Sequence, residues 1–494
     1  MTVTTDESAT KRASVQHRTS SIGLVSTIAA LGGILFGYDT GVMSGALLFI
    51  KPTFDMSATQ EGLITSILMV GAAVGALSGG RLADAIGRRW AVFWAGVLFI
   101  VASLACAFSG GASAAAATVS LSISRFILGV AVGGASIIVP MYISEIAPRG
   151  VRGRLATLNS LMIVVGQLIA YGVNSALAPS ENWRLMLGLG VVPAIVLAIG
   201  TYFLPDSPVY YLLHNKVDDA AAVLRHLRRG DDLAHVDEEL EALAQAVAAK
   251  KDKKSEWSAL GTPWIKMVMG IAIVVAMIQQ VTGVNAIVYY APTMLKNVGW
   301  TSQNAVFGSI LIGVVSVVSC WIGLSIVDKV GRRPLLLGGL AGTSVSLLAL
   351  TLVYWLAPTD ELWASGLMLG LMGLFMVFQQ SAVSVATWLL VSELIPSAVR
   401  GIGMGIAGLA LWLMNFVVAM CFPPLLEGIG GAWTFLVFAV LCVLAFSFVF
   451  KMIPGRSFLK PMNKSSRQSV PRGITAAPTD TLGRVYRISP ATPK

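Results

Sequence analysis

The chain has 494 residues, of which 55% are hydrophobic and 12% charged, and its mean hydropathy is +0.77. Soluble globular domains carry roughly a quarter charged residues, and apolar runs such as 336–356 are too long for ordinary core helices. This composition excludes a soluble enzyme, a nucleic-acid-binding domain and a disordered scaffold. It predicts a polytopic membrane protein, in which the net charge of +10 comes from loops beside anionic lipid.

Twelve apolar segments are long enough to cross a bilayer, which takes about 20 helical residues. We number them spans 1 to 12, and they are 22–50, 62–83, 90–110, 120–143, 155–178, 184–204, 264–292, 305–327, 334–357, 363–392, 400–425 and 431–453. The predicted fold is an all-α membrane protein with two pseudo-symmetric six-helix bundles. They are the first half, 21–204, and the second half, 263–453, and a helical linker at 205–262 joins them.

The distribution of Lys and Arg predicts the orientation of the spans. Of the 35 such residues, 30 lie on one side: in the N-terminal segment 1–20, in alternate loops and the span ends that adjoin them, in the linker, and from the end of the last span through the basic tail 454–494. The loops on the other side carry three, Lys51, Arg184 and Lys296. Because positive loops stay inside, both termini are expected in the cytoplasm. We expect no removable signal peptide before span 1.

Two unrelated loop motifs occur in each half at nearly the same interval. The loops after spans 2 and 8 share the pattern Asp-x-x-Gly-Arg-Arg, and those after spans 4 and 10 share Ser-Glu-x-x-Pro-x-x-Val-Arg-Gly. A duplicated six-span unit with a site between its halves is typical of secondary transporters. The charged members are Asp84, Arg88, Arg89, Glu145 and Arg152 in the first half, and Asp328, Arg332, Arg333, Glu393 and Arg400 in the second.

These loop charges have two interpretations. Ion pairs at the cytoplasmic ends of the helices could hold that side shut in one state and break in the other. Alternatively, the charges only fix topology and anchor the helices to lipid headgroups. We favour the cytoplasmic gate for the Glu and Arg residues of the second motif.

With further motifs added, the sequence resembles the sugar porter family of the major facilitator superfamily over nearly its whole length. These are Gly-Gly-Ile-Leu-Phe-Gly-Tyr-Asp-Thr-Gly at 32–41, Pro-Asp-Ser-Pro at 205–208, and Gln-Gln-Val-Thr-Gly-Val-Asn at 279–285 followed by Tyr-Tyr-Ala-Pro at 289–292. It looks most like the bacterial proton-coupled sugar and inositol symporters. The family's usual Pro-Glu-Thr-Lys-Gly run after span 12 is replaced by Pro454-Gly455-Arg456, so one cytoplasmic charge partner is missing.

Two charges lie within spans away from their ends, Asp39 in span 1 and Arg125 in span 4. A charge in the membrane is costly unless it is paired or hydrated, so Asp39 could simply be a member of a structural ion pair. The functional interpretation is a proton site, because protonating the carboxylate weakens the pair and lets the helices rearrange. The resemblance supports it, since proton-coupled members carry Asp at this position and pair it with the arginine that Arg125 matches.

Span 7 is the predicted substrate segment because it concentrates uncharged polar groups, which match a polyol. In a continuous helix Gln280 and Tyr289 would point to opposite faces, so we expect a break near Gly283. Interhelical hydrogen bonding is the alternative role for these groups. The span contributes Gln279, Gln280, Asn285 and Tyr289. The resemblance implies further contacts from Phe36, Gln167, Trp388, Trp412 and Asn415, of which the two Trp could equally be packing residues.

Together with the resemblance, these residues predict proton-coupled uptake of a neutral polyol, a monosaccharide or myo-inositol, by alternating access, and the resemblance implies a bacterial inner membrane. The alternatives are a passive facilitator and a nutrient sensor with a transporter-like fold; a membrane enzyme fits less well because no catalytic constellation is visible. No phosphate-binding loop or metal-ligand spacing occurs in the sequence. We expect no cofactor, no metal and a monomer whose partners are substrate, proton and lipid.

Overall fold

A computed structural model describes residues 22–148, 152–228, 231–250, 258–356, 362–396 and 399–453. This part of the chain is helical and contains no β-strand. The predicted N-terminal segment 1–20, the basic tail 454–494 and the side chain of Arg152 lie outside the described residues.

The helices follow the predicted spans, because within lipid a helix satisfies its own backbone hydrogen bonds. Spans 1 to 5 are Ile22–Phe54, Ala58–Ile86, Arg88–Phe108, Ala114–Ile146 and Arg152–Leu177; span 6 consists of Trp183–Gly188 and Val191–Tyr202; span 7 consists of Pro263–Val281 and Val284–Asn297; spans 8 and 9 are Ser302–Val330 and Arg332–Leu356; and span 10 consists of Leu362–Phe378, a π-turn at Gln379–Val383 and Ser384–Leu394.

Spans 11 and 12 form one helical run, Arg400–Met452, instead of two helices separated by a loop. Eleven helices in the described residues are therefore long and apolar enough to cross a membrane. The run has 53 residues, about 80 Å at 1.5 Å each, whereas the hydrocarbon core is about 30 Å thick. The backbone of Gly430 is not helical (φ 79°, ψ 166°), and this kink is where the run would divide into the two predicted crossings.

The glycine of the repeated Asp-x-x-Gly-Arg-Arg motif makes the same turn in both halves. Gly87 ends span 2 with φ 101°, and Gly331 ends span 8 with φ 92°. Both angles lie in the region that glycine adopts without the steric penalty of a Cβ atom. The motif therefore reverses the chain within one residue and places its arginines in the first turn of the next span.

Glycines bring spans 2 and 4 into backbone contact. A Cβ atom on Gly71 or Gly75 would lie 2.1 Å from a carbonyl oxygen of span 4, and one on Gly129 or Gly133 would lie 2.1 and 2.0 Å from a carbonyl of span 2. Without a hydrophobic driving force between helices in lipid, such close approach supplies the packing energy. The packing fixes span 4, and with it Arg125, against the rest of the first half.

The two halves meet through spans 1 and 7, spans 2 and 11, and spans 5 and 8. Span 1 is buried along most of its length, so it lies inside the bundle and not against lipid. We call the end with Arg88 and Arg332 the motif end, and the end with Lys51 the far end.

The linker forms short helices, as predicted: Pro208–Leu213, Val217–Leu227, Asp231–Ala234 and Val236–Lys250. Its apolar stripe, which includes Leu224 and Leu227, is buried. Arg228 joins the linker to the first half, because its guanidinium donates to the carbonyl of Ile146 at 2.8 Å and to both carboxylate oxygens of Glu239 at 2.8 Å.

Candidate functional site

Asp39 and Arg125 form a two-point ion pair between spans 1 and 4. The guanidinium Nη1 donates to Oδ1 at 2.9 Å, and Nη2 donates to Oδ2 at 3.3 Å. Asp39 is 2% exposed and Arg125 0%. The predicted pairing is confirmed. Removing only one partner of a pair buried in this way destabilises a protein by several kcal/mol.

The second half reaches this ion pair through Tyr289 of span 7. Its ring is fully buried, its hydroxyl lies next to Thr40, and it is near enough to feel the charges of both Asp39 and Arg125. Asp39 and Tyr38 are among the residues that line a cavity of about 10 Å³, the size of a single water molecule. Asp39 therefore lies beside a residue of the second half, at the boundary between the halves.

The predicted break in span 7 is confirmed. The first helix ends at Val281, Gly283 takes a left-handed conformation (φ 83°, ψ 18°), and the second helix begins at Val284. Only glycine adopts this conformation at low cost. The break changes the direction of the chain between Gln280 and Asn285, so residues on both sides of it face the same region.

Three of the predicted substrate residues form a side-chain network at this break. The amide of Asn285 donates to Oε1 of Gln280 and to Oδ1 of Asn415, both at 2.8 Å. The Asn415 amide in turn contacts the sulfur of Met69 in span 2, at 3.2 Å. The network thus spans both halves and combines donors and acceptors without a net charge.

The other predicted contacts differ in their burial and in their partners. Phe36 and Trp412 meet edge to face at a centroid distance of 5.5 Å, which joins spans 1 and 11. Gln167 is buried in span 5, where its backbone lies against Gly37 and Gly41 of span 1. Trp388 is 38% exposed and, within the described contacts, joins neither the amide network nor the Phe36–Trp412 pair.

At the motif end of the first half, the two sequence motifs pair with each other. Arg88 is fully buried; its Nε and Nη2 donate to the Glu145 carboxylate at 2.8 and 3.1 Å, and its Nη2 also donates to Asp84 at 2.6 Å. Arg89 donates to the carbonyl of Leu204 at 2.8 Å. Glu145 therefore binds the arginine of the other loop, a pairing that its own motif does not reveal.

Asp206 and Ser207 complete this cluster. Oδ1 of Asp206 accepts from the backbone N–H groups of Arg88 at 2.8 Å, Arg89 at 3.4 Å and Ser207 at 2.8 Å, while the Ser207 hydroxyl donates to Glu145. The carboxylate thus caps the positive N-terminus of span 3. Burial is the larger influence and raises the pKa of the Asp206 carboxyl above its ordinary value, although the three N–H donors act in the opposite direction.

The second half repeats the ion pairs in a more open form. Arg332 pairs with Asp328 at 3.0 Å and with Glu393 at 2.9 Å, but its side chain is 30% exposed, whereas that of Arg88 is 0%. Arg333 donates to the carbonyl of Phe450 at 2.9 Å, and Arg400 is exposed. The described ion pairs at the motif end each join residues of one half.

At the far end, an ion cluster joins the two halves. Lys51 of span 1 lies 3.0 Å from the carboxylate of Glu61 in span 2 and 2.5 Å from that of Glu427 in the second half. Glu61 is 3% exposed and Glu427 is 56% exposed. Beneath the cluster, a Cβ atom on Gly62 would lie 2.5 Å from the carbonyl oxygen of Met420. Spans 2 and 11 are thus in contact at this end.

Four residues with structural roles at these sites are not among the predicted site residues: Asp206, Glu61, Glu427 and Gln379. The sequence signal for Asp206 is the Pro-Asp-Ser-Pro motif, and that for Glu61 is an acid at the start of an apolar span. Gln379 lies in a Gln-Gln pair within span 10, a polar signal like that of Gln279 and Gln280. In the described part of the chain, no group of His, Cys, Asp and Glu has the arrangement of a metal site.

The chain matches a known family of transport proteins. The family model described as "Sugar (and other) transporter" matches residues 25–460. The putative metabolite transport protein YfiG of Bacillus subtilis is 41% identical over 90% of this chain and 92% of its own. The major myo-inositol transporter IolT of the same organism is 38% identical over 89% and 92%.

Solved structures agree with the sequence comparison. The xylose transporter XylE from E. coli, in a partially occluded inward open conformation, matches with a TM-score of 0.76 at 26% identity, over 88% of this chain and 100% of its own. The proton:xylose symporter XylE bound to 6-bromo-6-deoxy-D-glucose matches with a TM-score of 0.73 at 27% identity, over 89% and 97%. The chain therefore belongs to the sugar porter family of the major facilitator superfamily, and it is a membrane transport protein and not an enzyme.

Proposed function

We propose that this protein takes up a neutral polyol, a monosaccharide or myo-inositol, together with a proton by alternating access. The observation that carries the proposal is the buried ion pair of Asp39 and Arg125, which lies at the boundary between the halves beside Tyr289. The relatives support the substrate class, since IolT is a myo-inositol transporter and XylE a proton:xylose symporter.

Asp39 is the proton acceptor in this mechanism. Arg125 is the partner that stabilises its ionised form. Protonation removes the negative charge and weakens the two-point pair, so the free energy that ties span 1 to span 4 falls. A state in which span 1 has moved is then favoured by the same amount. Proton binding thereby shifts the balance between the two orientations of the site.

The substrate site is the amide network at the break in span 7, with the Phe36–Trp412 pair beside it. Amide groups both donate and accept, as the hydroxyls of a polyol do, and an aromatic ring can cover the apolar face of a sugar. Because the network joins span 7 to spans 2 and 11, a substrate that inserts into it contacts both halves. Bound substrate can therefore stabilise a closed intermediate.

We assign the motif end to the cytoplasm, where the Arg88 and Arg332 clusters form the proposed gate with the remaining motif charges. In the present conformation each cluster pairs within its own half, while Lys51 and Glu427 join the halves at the far end. This arrangement supports a site closed to the outside. Re-pairing of the motif charges across the halves would close the cytoplasmic side.

The test uses purified protein in liposomes with a pH-sensitive dye outside and no imposed gradient. Myo-inositol, glucose, xylose, galactose and fructose are added in turn to wild type and to Asp39→Asn, which mimics the protonated acid. We expect one polyol to make the medium alkaline with wild type. The variant should lose this response but retain exchange of labelled substrate. Asp55→Asn is the matched control, because Asp55 is exposed and its left-handed backbone (φ 51°) suits Asn.

Each outcome discriminates between the functional classes. Substrate entry without proton movement in wild type would make the protein a passive facilitator. A proton response that survives in Asp39→Asn would place the proton site elsewhere. If none of the polyols enters, the transport proposal fails for this substrate class and the nutrient-sensor alternative gains support.

A further inference from the structure

The break in span 7 leaves a backbone carbonyl without its helical donor. In a continuous helix the carbonyl of Gln279 would accept from the N–H of Gly283, but that N–H donates to the carbonyl of Gln280 instead, at 3.0 Å. Two side chains take its place. The hydroxyl of Thr282 donates to the Gln279 carbonyl at 2.8 Å, and the amide of Gln379 donates to it at 3.2 Å.

Gln379 belongs to span 10, and its own backbone is irregular. It begins the π-turn Gln379–Val383 and is fully buried. Single π-turns are rare in proteins, and many of those that occur lie at functional sites. Span 8 packs closely against the π-turn: a Cβ atom on Gly323 would lie 2.2 Å from the carbonyl oxygen of Ser381. The amide of Gln379 is therefore presented from a backbone that has little room to move.

The amide has no competing partner in the described part of the chain. Among the described residues, the Gln379 side chain donates to the Gln279 carbonyl, and its oxygen Oε1 is buried without a hydrogen-bond partner. If the Gln379 amide were lost, Thr282 alone would satisfy the Gln279 carbonyl. The hydrogen bond that ties the break to the π-turn of span 10 would then be lost.

We propose that Gln379 is a positioning residue, whose amide holds the broken backbone of span 7 against the π-turn of span 10 and so fixes Gln279 and Gln280 for substrate. This inference rests on the proposed function only in its second part. The first part concerns the backbone of span 7 and can be tested without any substrate.

Hydrogen–deuterium exchange of the detergent-solubilised protein tests the backbone directly. Gln379→Met removes the donor at nearly constant volume, and Gln380→Met removes the neighbouring amide of the same π-turn as a matched control. We expect amide exchange around residues 281–285 to become about tenfold faster in Gln379→Met and to change less than twofold in Gln380→Met. Equal exchange in wild type and Gln379→Met would overturn the proposal, whether or not the protein transports polyols.

Exchange of labelled substrate across the liposome membrane tests the consequence for the site. Gln379→Met should raise the half-saturating substrate concentration about tenfold while the maximal rate and thermal midpoint stay near wild type. In the double variant Gln379→Met/Thr282→Val, the half-saturating concentration should rise by more than the product of the two single-variant factors, because the Gln279 carbonyl then has neither side-chain donor. Additive effects, or a fall in thermal midpoint without a change in half-saturation, would show that Gln379 only stabilises the fold.

Discussion

Replacing Lys51 should open the far end of the protein, because this lysine links a buried acid to an exposed one. The ammonium lies 3.0 Å from Glu61 and 2.5 Å from Glu427, whose side chains are 3% and 56% exposed. After Lys51→Met the Glu61 carboxylate would remain buried without its cation. Glu427, in contrast, would simply be hydrated.

The magnitude follows from these exposures. Removing one partner of a fully buried pair costs about 3–5 kcal/mol, and exposed pairs contribute about 0–1 kcal/mol. Since the Lys51 side chain is itself 32% exposed, we discount the first figure to about 2 kcal/mol, or about 30-fold in an equilibrium constant. Lys51→Met should therefore favour states with a hydrated Glu61 by about 30-fold, and Glu427→Gln by at most about fivefold.

Thiol labelling in detergent measures this shift. Ser66 is buried beside Met420 at the contact of spans 2 and 11, so Ser66→Cys, in a background without the native cysteines, reports opening through its rate of maleimide modification. We expect Lys51→Met to accelerate labelling about 30-fold and the added change Glu61→Gln to restore most of the wild-type rate. Equal rates in Lys51→Met and Glu427→Gln, or no recovery with Glu61→Gln, would show that the Lys51–Glu61 pair does not hold the far end closed.

Two further predictions concern packing and pH. Gly75→Val would place a side chain 2.1 Å from the carbonyl oxygen of Val130 and should cost about 3 kcal/mol, seen as a lower thermal midpoint; Gly80→Val, with open space around it, should change little. Asp206 has a raised pKa, so its stabilising contribution is present below its ordinary pKa of 3.8 and is lost as pH rises through the raised value. The thermal midpoint of wild type relative to Asp206→Asn should therefore fall as pH rises above 3.8. A midpoint difference that moves the other way would mean that the N–H bonds from residues such as Arg88 dominate.

Much of this architecture is local in origin and could be read from the sequence. Apolar length predicts a membrane helix because each backbone group must be satisfied within its own segment. The glycine of the repeated loop motif and Gly283 mark their turns because the conformation is determined at a single residue. Asp39 and Arg125 stand out in the sequence as isolated charges within the spans, and the resemblance to the sugar porter family implies that they pair.

Which side chains meet across helices depends on how the helices pack in three dimensions. Glu145 pairs with Arg88 of another loop, and Lys51 pairs with Glu61 and Glu427. Gln379 donates to the carbonyl of Gln279, which is 100 residues away in sequence. Hydropathy and motif spacing carry no information on these pairings, because lipid-embedded helices associate through close packing and not through their apolar character. The sequence thus determined the crossings and the isolated charges, whereas the packing of spans 2, 4, 7, 10 and 11 determined how those groups are connected.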